Sequence, residues 1–237
     1  MTDIYKTLQD MFKGLNTKAL LTPEYVCDTR IGKAHELLDV SIRVSDTSGY
    51  MFDDTRINRI TYDYASTFWD FMISGGTDAL SAFKDYPGVA KFITKPKSDT
   101  LPENFNTFYG PRIAKQLPSV LAELARSSNT RRACLMILNE DDLQLLDKDE
   151  SLEFPCTMGL NFTRREGKLI MSTVMRSQNL AVVLQLDIYL QMRLLHLVAN
   201  DLGIDIKDTE YHCHMINAHL FERDFEYVRS WMLQERT

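Results

Sequence analysis

Any fold of this chain must accommodate the run from residue 184 to residue 201, Leu-Gln-Leu-Asp-Ile-Tyr-Leu-Gln-Met-Arg-Leu-Leu-His-Leu-Val-Ala-Asn-Asp. It is strongly apolar, reads as a helix, and needs a core to enclose it. No apolar run in the chain reaches the length of a membrane span. The rest of the chain offers both helices and strands for that core. Residues 2–20 read as an amphipathic helix with Ile4, Leu8, Met11, Phe12 and Leu15 at helical spacing. The aromatic-rich stretch 57–73 reads as a buried helix stopped by Gly75-Gly76. Further helices are expected over 113–126 and 218–234. Strands are expected over 35–44, 132–139 and 210–216. A hairpin should pair 156–163 with 168–176 around Glu166-Gly167, with Leu169, Met171 and Val174 on its second strand. Pro87, Pro96, Pro102 and Pro111 make 86–112 the long loop. With no linker or repeat, the simplest organisation is one α+β domain over residues 1–237.

The bulk numbers narrow the function. A chain of 237 residues, 44% hydrophobic and 25% charged, has an ordinary globular composition. Its formal net charge of −6 argues against broad nucleic-acid binding, which needs clustered Lys and Arg. It leaves room for a nucleotide substrate, because one phosphate needs only a local basic pocket. Cys27, Cys134, Cys156 and Cys213 are far apart and form no C-x-x-C pair. With no signal-like start at Met-Thr-Asp-Ile-Tyr-Lys, they read as reduced thiols of a cytoplasmic protein.

The chemistry gathers around Phe154-Pro155-Cys156-Thr157 and Met175-Arg176-Ser177-Gln178-Asn179. Two strands joined by a short turn bring Cys156 near Arg176, and a guanidinium beside a thiol favours the thiolate. The plainer readings are a small core cysteine and a surface arginine. Arg131-Arg132, after a turn and before an apolar strand, can grip a phosphate in bidentate fashion. Thr29-Arg30-Ile31-Gly32-Lys33 is a third basic turn. His212 and His214 share one face of a strand, but no further Cys or His is placed to complete a tetrahedral set, so no metal is expected. His196 reads as a core histidine.

In combination these pieces resemble the thymidylate synthase superfamily. The pieces are Arg30-Ile31-Gly32, Gly75-Gly76-Thr77-Asp78, Tyr109-Gly110, Arg131-Arg132, Pro155-Cys156, Arg176-Ser177, Asp187 and Ala218-His219, in family order over roughly residues 25–227. The resemblance implies an α+β fold, with a large mixed sheet packed back to back in a homodimer. It implies attack of Cys156 on C6 of a pyrimidine nucleoside monophosphate, after which C5 takes a one-carbon unit from the co-substrate 5,10-methylenetetrahydrofolate. Carried over position by position, Arg30, Arg176 and Ser177 hold the phosphate, and Arg131 and Arg132 do so in the partner's site. Tyr109 supports the thiol and proton abstraction, His219 reaches the sugar, and Asn179 and Trp69 face the folate. Asp187 stands where synthases carry Asn and deoxycytidylate hydroxymethylases carry Asp. A carboxylate accepts from the cytosine amino group and repels the uracil carbonyl, so a cytidine monophosphate (dCMP, or CMP) is the expected substrate and 5-hydroxymethyl the expected product. The plainer reading is that Asp187 caps a helix starting at Ile188.

The match has gaps. Asn179 replaces the pterin-holding Asp, and Val183 stands at an expected Gly. Phe68 falls where a water-ordering Glu belongs, with Asp70 nearby only after a register shift. Phe221 replaces the sugar-clamping Tyr, so ribose is conceivable. The chain also ends soon after His219. The alternatives are a nucleotide-binding relative that has lost folate chemistry and a dUMP-specific thymidylate synthase.

Overall fold

The computed structural model describes residues 2–76, 78–86, 109–146 and 154–232. The expected α+β class holds. One mixed sheet runs in the order β1-β3-β8-β6-β5-β4, with β2 paired to β3 and β7 to β8. The strands are β1 (Thr2–Thr7), β2 (Tyr25–Thr29), β3 (Gly32–Asp46), β4 (Cys134–Met136), β5 (Thr157–Arg165), β6 (Lys168–Met175), β7 (Gln178–Asn179) and β8 (Thr209–Phe221). The helices are α1 (Leu8–Leu21), α2 (Tyr62–Ile73), α3 (Ala79–Ala82), α4 (Tyr109–Arg126), α5 (Val183–Asp201) and α6 (Phe225–Met232).

The apolar run forms α5 and is enclosed as its composition demands, with Leu184, Ile188, Tyr189, Met192, Leu195, Val198 and Ala199 all buried. The hairpin forms where expected. Glu166 and Gly167 both take positive φ, 52° and 83°, the conformation that a two-residue turn between twisted strands requires. Leu169 and Met171 point inward, whereas Val174 is 39% exposed. A register shift between Thr157 and Gly159 bends the start of β5, just after Cys156.

Five boundaries differ from expectation. Residues 2–7 form a strand parallel to β3 rather than the first turns of a helix. Thr7 and Asp10 close a capping box, Oγ1 accepting from the Asp10 N–H at 3.0 Å, so the helix cannot extend back past Thr7. Ile4 therefore leaves the apolar stripe and is 76% exposed. Likewise α2 starts only at Tyr62, because the Thr61 hydroxyl caps it. Residues 109–112 belong to α4, where Pro111 sits in the first turn and gives up no needed donor; the rest of the expected loop from 87 lies outside the described residues. The segment 218–221 continues β8, and the last helix waits until Phe225. Its pairing with β3, Ala34 opposite Phe221 and Leu37 opposite Ala218, overrides local helix preference. The strand expected over 132–139 is only three residues long.

β3 and β8 switch faces together. Val40, Ile42 and Val44 are buried beyond Asp39, but Leu37 is buried before it. β8 changes from Tyr211, Cys213 and Met215 to Ala218 and Leu220. Asp39 absorbs the break with φ of 50°. The result turns Glu36 and His219, which are register partners, onto the face opposite Leu37 and Ala218.

Candidate active site

Cys156 immediately precedes β5 and is held between two anchors. Its carbonyl accepts from the Arg176 N–H at 2.8 Å. The next residue, Thr157, donates its N–H to the Tyr109 hydroxyl oxygen at 3.0 Å. Tyr109 reaches this point because α2 and α4 approach closely at Gly110, where any Cβ would lie 2.7 Å from the Met72 carbonyl oxygen. The Tyr-Gly pair thus has a packing reason in this chain.

The Arg176 guanidinium wraps the segment before Cys156. Nε donates to the Pro155 carbonyl at 2.8 Å and Nη2 to the Phe154 carbonyl at 2.9 Å, leaving Nη2 3.9 Å from the Cys156 sulfur. The expected proximity is therefore present, but the net effect on the thiol is the reverse of expectation. Burial pushes the Cys156 thiol above its ordinary value; Arg176 pulls it down and Asp187 pushes it up. Desolvation wins because the thiol is largely enclosed and the guanidinium is shared with two carbonyls.

Asp187 lies inside α5, four residues beyond its start at Val183, so it is not a helix cap. It is 7% exposed, and Oδ2 accepts from Gln178 Nε2 at 3.0 Å. Burial raises its carboxyl to about 7, opposed by that hydrogen bond. Its charge is felt by Tyr109, Cys156, Tyr211 and Cys213. A cavity of about 20 Å³, room for one water, is lined by Asp187, Tyr109, Thr157, Gln191 and apolar neighbours. The buried Thr157 hydroxyl has no partner among the described residues.

His219 lies beside Asn179 of β7 and opposite Glu36 of β3. Burial lowers its imidazole to about 4, with Glu36 favouring the charged form and Arg176 opposing it. It is therefore neutral near pH 7 and can both donate and accept a hydrogen bond. The Asn179 Oδ1 accepts from the Val182 N–H at 3.1 Å, so this amide also shapes the turn into α5.

Tyr109, Cys156, Arg176, Asp187 and His219 thus form one neighbourhood, with Asn179 and Ser177 on the segment beside it. The remaining candidates sit on other elements. Arg30 occupies the tip of the β2–β3 hairpin, beside Gly32 with φ of 129°. Arg131 and Arg132 are exposed before β4, and Arg132 Nε donates to Glu123 at 3.2 Å. Trp69 is 5% exposed, with the Arg193 guanidinium 5.1 Å from its ring centroid. Of the Gly75–Asp78 turn, Thr77 lies outside the described residues. His212 bonds Glu210 and His214 bonds Ser41, and among the described residues no group is placed to hold a metal ion. His196 bonds the Tyr50 hydroxyl at 2.8 Å, as a core histidine does.

Two neighbours escaped the sequence. Gln178 carries its only signal in its place between Ser177 and Asn179. Glu36 carries none, because only strand register sets it opposite His219.

Two comparisons with known proteins point to one family. Residues 89–237 match the family model described as thymidylate synthase. The protein called "Putative thymidylate synthase" from Methanocaldococcus jannaschii is 24% identical over 124 residues, 52% of this chain. The match covers 55% of that relative, so the chain spans about half its length. No helix among the described residues is long and apolar enough to cross a membrane.

Proposed function

From the chain's membership of the thymidylate synthase family, we propose that it transfers a one-carbon unit to C5 of a cytidine monophosphate, giving the 5-hydroxymethyl nucleotide. The observation that carries this reading is the buried carboxyl of Asp187, fixed by Gln178 beside Cys156. A carboxylate in that position accepts from the amino group at C4 of cytosine. Uracil sets a carbonyl oxygen against it, leaving two buried acceptors without a donor.

Cys156, as thiolate, bonds to C6 of the ring, and the C5–C6 electron pair moves to C5. The proton lost by the thiol ends on N3, where the Asp187 carboxylate accepts from the new N–H and so limits the negative charge built up as sulfur adds. The free thiol is held above its ordinary value. The thiolate must therefore be generated in the complex rather than stored in the free protein. Methylenetetrahydrofolate supplies the one-carbon unit that C5 takes up, and water supplies the hydroxyl oxygen. Tyr109, whose hydroxyl is kept well above its normal range by burial, stays protonated and orients a water that takes the C5 proton, and the Cys156–C6 bond then breaks to release the product. His219 faces the sugar, and Arg30, Arg176 and Ser177 the phosphate. Arg131 and Arg132 serve the partner's site in a homodimer.

The covered ring of Trp69 favours a second reading, a nucleotide-binding relative without folate chemistry, because a pterin meets Arg193 on that ring. The two are separated by tritium release from C5-labelled dCMP, CMP and dUMP, with and without methylenetetrahydrofolate. Folate-stimulated release from a cytidylate, lost in Cys156→Ala, supports the transferase. Nucleotide binding without release supports the relative.

A further inference from the structure

Gln178 is 1% exposed and spans from β7 to the interior of α5. Its Nε2 donates to Asp187 Oδ2 at 3.0 Å, while its Oε1 has no partner among the described residues. The opposite amide orientation would set two acceptors against each other whenever Asp187 is ionised, so the chemistry selects the orientation seen. An apolar side chain of similar volume, such as Met, would fill this site without a buried orphan acceptor and without desolvating an amide. The amide therefore makes local packing worse and the state of one carboxyl better.

We propose that Gln178 is a positioning residue for base recognition, holding Asp187 by one oxygen as an ionised acceptor so that the other is presented to the pyrimidine. This rests on the reading of Asp187 given above but assigns the selectivity to a pair rather than to one residue. The groups facing Asp187 are consistent with this. Tyr109 from α4, Cys156 before β5, and Tyr211 and Cys213 from β8 are all disposed to be neutral near pH 7, each held above its ordinary value mainly by burial. Among the described residues no cation shifts Asp187, and the Gln178 hydrogen bond is what opposes its desolvation. Gln178 thus takes the part that an arginine or lysine plays beside many buried carboxylates, without adding a charge that would compete for the phosphate.

The test uses Gln178→Met and Gln178→Glu in the full chain, with far-UV circular dichroism as the check on folding. Carboxyl 13C NMR follows the titration of Asp187 in the free protein, and C5 tritium release gives the dCMP to dUMP preference. In Gln178→Met the Asp187 midpoint should rise by roughly one pH unit or more, and the cytidylate preference should fall roughly tenfold, as expected for losing a hydrogen bond to a charged group. Gln178→Glu should retain preference only at low pH, where its protonated form still donates. An unmoved Asp187 midpoint in folded Gln178→Met overturns the proposal whatever the activity. A moved midpoint in a chain that releases tritium from no nucleotide sinks the transferase reading and leaves the pair standing.

Discussion

Replacing Asp187 with asparagine should stabilise the protein, and by an amount that depends on pH in a defined way. Burial carries the Asp187 carboxyl from 3.8 to about 7. At 1.36 kcal/mol per unit, the shift of about three units corresponds to roughly 4 kcal/mol. The raised value means that the folded chain keeps a proton that the unfolded chain has already lost. Wild type therefore loses stability as pH rises from about 4 to about 7, with the full loss present above that window. The substituted amide does not titrate, and its oxygen still accepts from Gln178 Nε2. The stability gap between D187N and wild type should then widen in favour of D187N by roughly 2 to 3 kcal/mol between pH 5 and pH 8. Urea unfolding at several pH values measures it, with an unchanged m-value as the check that the same transition is followed. His196 and His219 titrate in both proteins and cancel in the difference. A gap that stays flat, or that closes as pH rises, refutes the placement of a desolvated carboxyl at this site.

Other outcomes follow from the same geometry. Arg176→Met removes the group that pulls the Cys156 thiol down, so alkylation by iodoacetamide at pH 8 should slow several-fold; an unchanged rate would show that the guanidinium does not reach the sulfur. The His219 imidazole should remain neutral by NMR down to pH 5, since its value lies at about 4, and a midpoint above 6 would contradict its burial. Arg112 holds the 3% exposed Asp142 through two donors at 2.7 and 2.6 Å. Arg112→Met should therefore cost about 3 to 5 kcal/mol in chemical unfolding, whereas a loss under about 1 kcal/mol would mean the pair is hydrated.

How far the sequence reveals this molecule depends on the range of the interaction concerned. The composition of α5 declares its burial, and Glu166-Gly167 declares the hairpin, because both signals are local. The same hairpin makes the approach of Arg176 to Cys156 legible. The start of α1 was also written locally, in Thr7 and Asp10, but the helical spacing that includes Ile4 masks it. The end of β8 was not: Ala-His-Leu-Phe suits a helix or a strand, and only β3 decides. In the site, the contact of Tyr109 with the Thr157 N–H bridges 48 positions and leaves no periodic trace. The thiol's upward shift was hidden for a related reason. Sequence proximity announces the arginine, but desolvation depends on everything packed around the sulfur.

The proposed attack of Cys156 on C6 of a cytidylate selected by Asp187 is open to chemical trapping. The most direct test is intact and peptide mass spectrometry after incubation with methylenetetrahydrofolate and either 5-fluoro-dCMP or 5-fluoro-dUMP. Fluorine at C5 cannot leave as the proton does, so the covalent complex is trapped. An adduct is expected on the peptide containing Cys156, formed faster with the fluorocytidylate and absent from Cys156→Ala. An adduct on another residue, or one formed only with the fluorouridylate, would contradict it.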